Sequence, residues 1–316
     1  MGTKSTSLDY TVLKVTVMPR TDLIKGTFTA LLTPFTENMD VDEPTLRKFV
    51  DYQIKGGVAG LVPLGTTGES ATLDLEETKK VFEIVVDQAS KSSRKPFVLA
   101  GTGSNCTREA IELTKMAENA GADGALLVSP FYNKPTQAGL VEHFKAIAKE
   151  TSLPLVLYNI QSRTGVNIDV PTLVELAKIP NIVGVKEASG SIDQITDTIR
   201  KVPAAFKVLS GDDGMTFHVM TLGGLGVISV ASNVAPKYIV QFTEALAAGD
   251  LKAARALQLK LFELFKVLFV ETNPGPVKCA ADIMGLMSQR MRLPMVTPSP
   301  QNREKIKKVL EDLKLI

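Results

Sequence analysis

Lys186 closes the apolar run Ile182-Val183-Gly184-Val185 and is followed by Glu187. A lysine withdrawn from water loses basicity, and its neutral amine is a nucleophile toward a carbonyl carbon. The competing reading is a strand-end lysine that only meets solvent. Gly65-Thr66-Thr67-Gly68-Glu69-Ser70 combines glycines with hydroxyls just before a helical pattern that begins near Asp74. Backbone N–H groups and hydroxyls in such a turn can hold a carboxylate. The turn lacks the lysine and spacing of a phosphate loop, and an ordinary strand-to-helix turn with an N-cap would look the same. Tyr132 and Tyr158 are two of the five tyrosines. A phenol beside an imine can pass protons, although for either tyrosine alone a packed ring with a satisfied hydroxyl is the simpler reading. Arg163 lies in a polar loop and could bind a carboxylate through two parallel hydrogen bonds, or simply be solvated there.

These groups need a scaffold that brings them to one place, and the chain repeats one unit from Lys25 onward. A short apolar run leads to a turn rich in Gly, Ser, Thr or Asn and then to a longer helical pattern. The runs are Phe28–Leu32, Gly60–Leu64, Phe97–Ala100, Ala125–Val128, Leu155–Tyr158, Ile182–Val185, Phe206–Leu209 and Gly226–Val230. They are continuously apolar, as parallel strands covered on both faces require. Helical spacing fills the gaps at Leu75–Gln88, Arg108–Asn119 and Gln137–Lys149. Thr107 before Arg108 and Pro171 at the head of Pro171–Ala177 mark helix starts, and Gly121 marks a stop. Eight such units predict a (β/α)8 TIM barrel, with a doubly wound open sheet as runner-up. In a barrel, chemistry sits at the C-terminal strand ends, where Thr67, Tyr132, Tyr158, Arg163 and Lys186 all fall. Helical segments Lys237–Ala248, Leu251–Phe269, Pro276–Met287 and Gln301–Leu313 exceed what the barrel needs and predict a C-terminal helical extension. The expected organisation is an N-terminal arm or tag-like segment over residues 1–22, the barrel over 23–235 and C-terminal helices over 236–316.

The 316 residues are 44% hydrophobic and 22% charged, with a formal net charge of +2 and scattered basic residues. That is globular composition with material for a large core, and it carries no basic stripe for nucleic acid or a membrane surface. Cys106 and Cys279 form neither a disulfide framework nor a metal spacing, which fits a reducing compartment and an expected cytoplasmic location. With only His143 and His218, both in helical patterns, a multi-histidine metal site is impossible. No apolar stretch is long enough to span a membrane. Residues up to about Thr21 are polar and patternless except for Val12–Val17, and they lack the apolar core of a secretory signal. An arm with Met18 as the natural first residue is the preferred reading, beside a weaker organelle-targeting one.

The strings GTTGES, SPFYNKP, LYNIQSRTG, GVKEASG, LSGDD, GVISVASN and RLPM occur in this order. Together they resemble the dihydrodipicolinate synthase family of pyruvate-dependent class I aldolases, from about Leu23 to the C-terminus. The resemblance implies that Lys186 carries the Schiff base and that Thr66 and Thr67 bind the pyruvate carboxylate. It implies that Tyr158 is the acid/base, and that Thr67, Tyr158 and Tyr132 form a proton relay, with Tyr132 supplied by a neighbouring subunit of a homo-oligomer, expected to be a homotetramer. Arg163 would hold the carboxylate of aspartate semialdehyde, and Gly211 and Ile228 would also line the substrate. The lysine is the electron sink, so neither a metal nor an organic cofactor is expected. Gln161 departs from the family's usual proline in the loop before Ser162-Arg163.

Other aldolases of this superfamily, such as N-acetylneuraminate lyases and keto-deoxy-sugar-acid aldolases, would share Lys186 and Tyr158. The Thr66-Thr67 pair and Ser162-Arg163-Thr164-Gly165 favour the synthase, because a second carboxylate suits an arginine in that loop. A catalytically silent barrel kept as a binding scaffold is the alternative of another class. The family's feedback site for lysine is matched at Ser70, Ala71, Asn105 and Glu109 but not at Leu75, Thr78 and Phe131. Weak or absent inhibition by lysine is therefore expected.

Overall fold

A computed structural model describes residues 20–316, so the reading of residues 1–19 as part of an arm lies outside the described residues. Eight parallel strands close on themselves in sequence order: β1 (Gly26–Ala30), β2 (Gly60–Val62), β3 (Phe97–Gly101), β4 (Gly124–Val128), β5 (Leu155–Asn159), β6 (Ile182–Glu187), β7 (Lys207–Ser210) and β8 (Gly226–Ser229). β8 pairs with β1 from Gly26↔Gly226 to Thr29↔Ser229, which removes every free edge. The expected (β/α)8 barrel is therefore what the chain forms, and the open sheet is excluded.

Helices α1 (Glu43–Gly56), α2 (Leu75–Ser90), α3 (Thr107–Asn119), α4 (Gln137–Lys149), α5 (Gln161–Thr164), α6 (Val170–Leu176), α7 (Ile192–Lys201), α8 (Thr216–Thr221) and α9 (Pro236–Ala247) connect the strands or follow the last one. α10 (Leu251–Val267), α11 (Gly275–Ile283) and α12 (Pro300–Asp312) form the C-terminal extension. α9 packs on β1, where Thr27 and Thr243 share a buried hydroxyl–hydroxyl hydrogen bond of 2.8 Å. Among the described residues no helix is long and apolar enough to cross a membrane.

Local chemistry explains the boundaries. Asp74 caps α2 by accepting from the Glu77 N–H, and Glu77 returns the bond to the Asp74 N–H, a closed capping box. Gly121 ends α3 with φ +88°, as expected of a left-handed stop. Thr107 is the first residue of α3 and caps nothing. The N-cap position belongs to Cys106, and the Thr107 hydroxyl pairs with Nδ1 of His143 at 2.9 Å. Residues 26–27 form the start of β1, two earlier than the apolar run suggested, and Leu31 and Leu32 stay buried after the chain has left the strand. The Leu31 N–H still donates to the Val62 carbonyl of β2 at 3.0 Å, and pairing stops at Leu32, whose N–H bonds the Asn233 side chain at 3.2 Å instead of a neighbouring strand.

Two layers of core follow. Side chains on the outer faces of the strands pack under the helices, as Leu127, Leu157, Val185 and Val208 do with Leu140 and Phe144. Side chains on the inner faces fill the barrel itself, with Phe28, Phe97, Leu99, Val156, Leu209 and Ile228 fully buried. Gly60 makes room for one of them, since a Cβ there would stand 2.2 Å from the Phe28 ring. This packed interior forms the floor on which the strand-end groups stand.

Candidate active site

Strand alternation sorts Lys186 from Glu187. Lys186 pairs with Tyr158 of β5 and Leu209 of β7, and its inward face places Nζ 4.0 Å from the centroid of the Tyr158 ring. Glu187 turns the other way and is 1% exposed. There it accepts from the Ser189 N–H at 2.6 Å and from Asn159 Nδ2 at 3.2 Å. That is a structural network behind the strands, not part of the reacting face.

Burial acts strongly on the inward pair. Desolvation pushes Lys186 down to about 7 from an ordinary 10.5, with Asp213 opposing the fall and Arg163 adding to it. The same burial pushes the Tyr158 phenol well above its ordinary value, although the nearby Arg163 charge works against it. Near neutral pH the lysine can lose its proton while the phenol keeps its own, which suits a nucleophile beside an acid. Gly211 belongs to this contact, because a Cβ there would press on Lys186 Cε and Cγ at 3.1 Å. Ile228 lies fully buried in the barrel interior with Tyr158 and Leu209.

Lys278 is a second buried lysine, fully enclosed in α11, and desolvation lowers it to about 8. Its amine is committed to Glu69 at 2.5 Å, whereas Lys186 has no ion-pair partner among the described residues. That difference makes Lys278 a structural lysine and leaves Lys186 as the candidate nucleophile.

The GTTGES segment forms two short 3-10 turns, Thr66–Gly68 and Ser70–Thr72, joined at Glu69 in the left-handed region with φ +55°. Thr67 is buried and Thr66 exposed, so the two hydroxyls meet different surroundings. Arg163 is exposed on α5 and donates to the main-chain oxygen of Asn273 at 3.5 Å. Tyr132 is 89% exposed, with φ +70°, and within one chain its ring stands clear of the barrel interior.

Three groups escaped the sequence reading. Asn273 donates from Nδ2 to Thr67 Oγ1 at 3.0 Å. Asp213 accepts from the Val230 and Ala231 N–H groups at 3.0 and 2.9 Å, and burial raises it to about 6. The Lys278–Glu69 pair is the third. Asp213 stands within the string LSGDD, but nothing local to that string shows where its carboxylate points. The other two contacts join residues 206 and 209 positions apart, beyond any periodic signal.

With this geometry in place, comparison with known proteins decides the family. The family model described as "Dihydrodipicolinate synthetase family" matches residues 23–313. The chain belongs to that family. It is 52% identical to the 4-hydroxy-tetrahydrodipicolinate synthase of Syntrophus aciditrophicus over 93% of this chain and 100% of that protein. It is 50% identical to the synthase of Syntrophobacter fumaroxidans over the same shares. Among solved structures, dihydrodipicolinate synthase from Aquifex aeolicus superposes with a TM-score of 0.90 at 45% identity, covering 92% of this chain and 98% of that one. The family and its synthase members agree with the resemblance read from the motifs, and they favour the synthase over the sugar-acid aldolases and the silent scaffold.

Proposed function

We propose that the chain is a 4-hydroxy-tetrahydrodipicolinate synthase of lysine and diaminopimelate biosynthesis, in which Lys186 carries pyruvate as a Schiff base. The observation that carries this assignment is the buried Lys186 amine, without an ion-pair partner among the described residues, against the Tyr158 ring. The neutral amine attacks the ketone carbon of pyruvate, and loss of water leaves a protonated imine. Removal of a methyl proton then gives an enamine, with the imine nitrogen taking the electron pair. The enamine carbon attacks the aldehyde carbon of aspartate semialdehyde, whose oxygen takes up a proton. Finally the substrate's own amine adds to the imine carbon and expels the Lys186 amine, which closes the ring. Thr66 and Thr67 hold the pyruvate carboxylate, and Thr67, Tyr158 and Tyr132 pass the protons. Pyruvate and borohydride should trap an adduct on the peptide that contains Lys186. An adduct on another lysine, or none, would refute the assignment. A coupled assay should show turnover with aspartate semialdehyde and not with sugar aldehydes.

Arg163 binds the carboxylate of the second substrate. Its contact with Asn273 is long and single, which leaves the guanidinium free to make a shorter bidentate pair. Arg163→Ala should spare enamine formation and lower kcat/KM for aspartate semialdehyde by about 30- to 150-fold, the equivalent of about 2–3 kcal/mol. Unchanged kinetics for the semialdehyde would remove the arginine from the site.

Tyr132 reaches a relay only across a subunit boundary. A large aromatic ring 89% exposed on a left-handed backbone is costly in an isolated chain and suits a socket on a second copy. A homo-oligomer, as a tetramer of tight dimers, is the assembly we assign. Sedimentation at assay concentration should show no fully active monomer.

Lysine should inhibit weakly or not at all. Leu75 is 54% exposed and offers only carbon at the position where a polar contact is needed, and Phe131 lacks a hydroxyl. An amino acid in a closed site needs both charges satisfied. Initial rates with added lysine at fixed substrates test this, and strong inhibition at cellular lysine concentrations would contradict it.

A further inference from the structure

The C-terminal extension returns to the barrel mouth just before α11. Asn273 is 4% exposed there and faces Thr67, which is 3% exposed. Its Nδ2 donates to Thr67 Oγ1 at 3.0 Å, and its main-chain oxygen accepts from Arg163 Nη2 at 3.5 Å. One residue therefore touches the hydroxyl assigned to the pyruvate end and the guanidinium assigned to the second substrate. The contact is held from both sides. Lys278, five positions on, grips Glu69, and the Arg292 N–H donates to the other Glu69 oxygen at 3.2 Å.

The direction of the Asn273 bond has a chemical consequence. A threonine hydroxyl owns one hydrogen and two lone pairs. When Asn273 donates, Thr67 accepts on a lone pair and its hydrogen stays available for another acceptor. Were the neighbour an acceptor, it would take that hydrogen, and Thr67 would have nothing to give. Asn273 Nδ2 is the amide atom that faces Thr67, and Oδ1 is buried without a hydrogen-bond partner among the described residues.

We propose that Asn273 is a positioning residue for the condensation, which by donating to Thr67 turns the Thr67 hydrogen toward the reacting groups. This rests on the proton-relay reading given above. The test uses the full chain with Asn273→Ala, Asn273→Asp, Thr67→Val and the Thr67→Val/Asn273→Ala double variant. At saturating substrates, kcat should fall about tenfold in Asn273→Ala, less than the roughly 10²- to 10⁴-fold of a direct proton-transfer group because Asn273 acts through Thr67. It should fall about tenfold further in Asn273→Asp, because a carboxylate of nearly the same shape only accepts and captures the Thr67 hydrogen. Repulsion of pyruvate by the new charge would appear in KM for pyruvate and not in kcat. KM for aspartate semialdehyde should stay within about twofold in both, since the main-chain oxygen that meets Arg163 remains. In the Thr67→Val background Asn273→Ala should cost less than about twofold more, because the two residues act through one contact.

A packing role predicts the reverse order, with the truncated Asn273→Ala worse than the isosteric Asn273→Asp. An Asn273→Asp variant at least as active as Asn273→Ala overturns the proposal. So does a full tenfold loss in the Thr67→Val background, and that second comparison decides the matter if Asn273→Asp fails to fold. Failure of the relay reading looks different, because Thr67→Val alone would then leave kcat unchanged at saturating substrates.

Discussion

Lys186→Met should abolish turnover and make the protein more stable near neutral pH. The loss of turnover follows from removing the covalent nucleophile, an effect on the order of 10⁴-fold or more. The gain in stability follows from where the amine sits. Its ordinary value of 10.5 falls to about 7 in the folded chain. Between those limits the unfolded chain binds a proton on this lysine that the folded chain does not, so stability rises with pH. Below pH 7 both forms are protonated and the full penalty applies. Above about pH 10.5 neither is protonated and the penalty is gone. At pH 8 it amounts to roughly 3 kcal/mol, at 1.36 kcal/mol per unit. Methionine fills similar space with no charge to desolvate. Urea unfolding at pH 8 should therefore show Lys186→Met about 2–3 kcal/mol more stable than the parent, with the gap closing toward pH 10. Equal stability at pH 8 would mean that folding does not depress the amine. The same titration sets activity, and kcat/KM for pyruvate should rise with pH to a plateau above about pH 7.

The barrel was legible, and Lys186 stood out as a candidate nucleophile, because both leave local marks. A parallel strand covered on two faces is a continuous apolar run, and a lysine that closes such a run stands out by type. The edges of the pattern were less legible. The end of the run at Leu32 looked like strand because burial and pairing share one signature, and there the chain stays buried on an asparagine side chain after its last bond to β2. Thr107 has the composition of a cap, yet a histidine thirty-six positions away takes its hydroxyl. Asn273, Lys278 and Arg292 left no mark as site residues, since their positions read only as helix or loop in a C-terminal extension. Their role comes from tertiary closure, which lays that extension across the Thr66–Ser70 turns. The extension thus contacts the turns of the candidate site, although the residues proposed for the covalent chemistry stand on the barrel.

That dependence leads to a large effect far from the reacting atoms. Lys278→Met should destabilise the protein by about 3–5 kcal/mol, the range for removing one partner of a buried pair. Glu69, with a side chain 2% exposed, would keep the Arg292 N–H but lose its counter-charge. The ring of Phe35 sharpens the loss, because Lys278 Nζ lies 4.2 Å and Arg292 Cζ 4.7 Å from its centroid. Function should suffer at one end of the site only. Glu69 joins the two 3-10 turns that present Thr66 and Thr67, so a loosened Glu69 raises KM for pyruvate. Arg163 does not touch this pair, and KM for aspartate semialdehyde should hold. Neutralising both partners separates the charge effect from packing: Glu69→Gln with Lys278→Met leaves no buried charge and keeps an acceptor for the Arg292 N–H. The double variant should recover most of the stability lost in Lys278→Met alone. If the two changes simply added, the cost would lie in lost side-chain contacts and not in an unpaired carboxylate. The extension would then hold the turns by packing, and the ion pair would be incidental to the site.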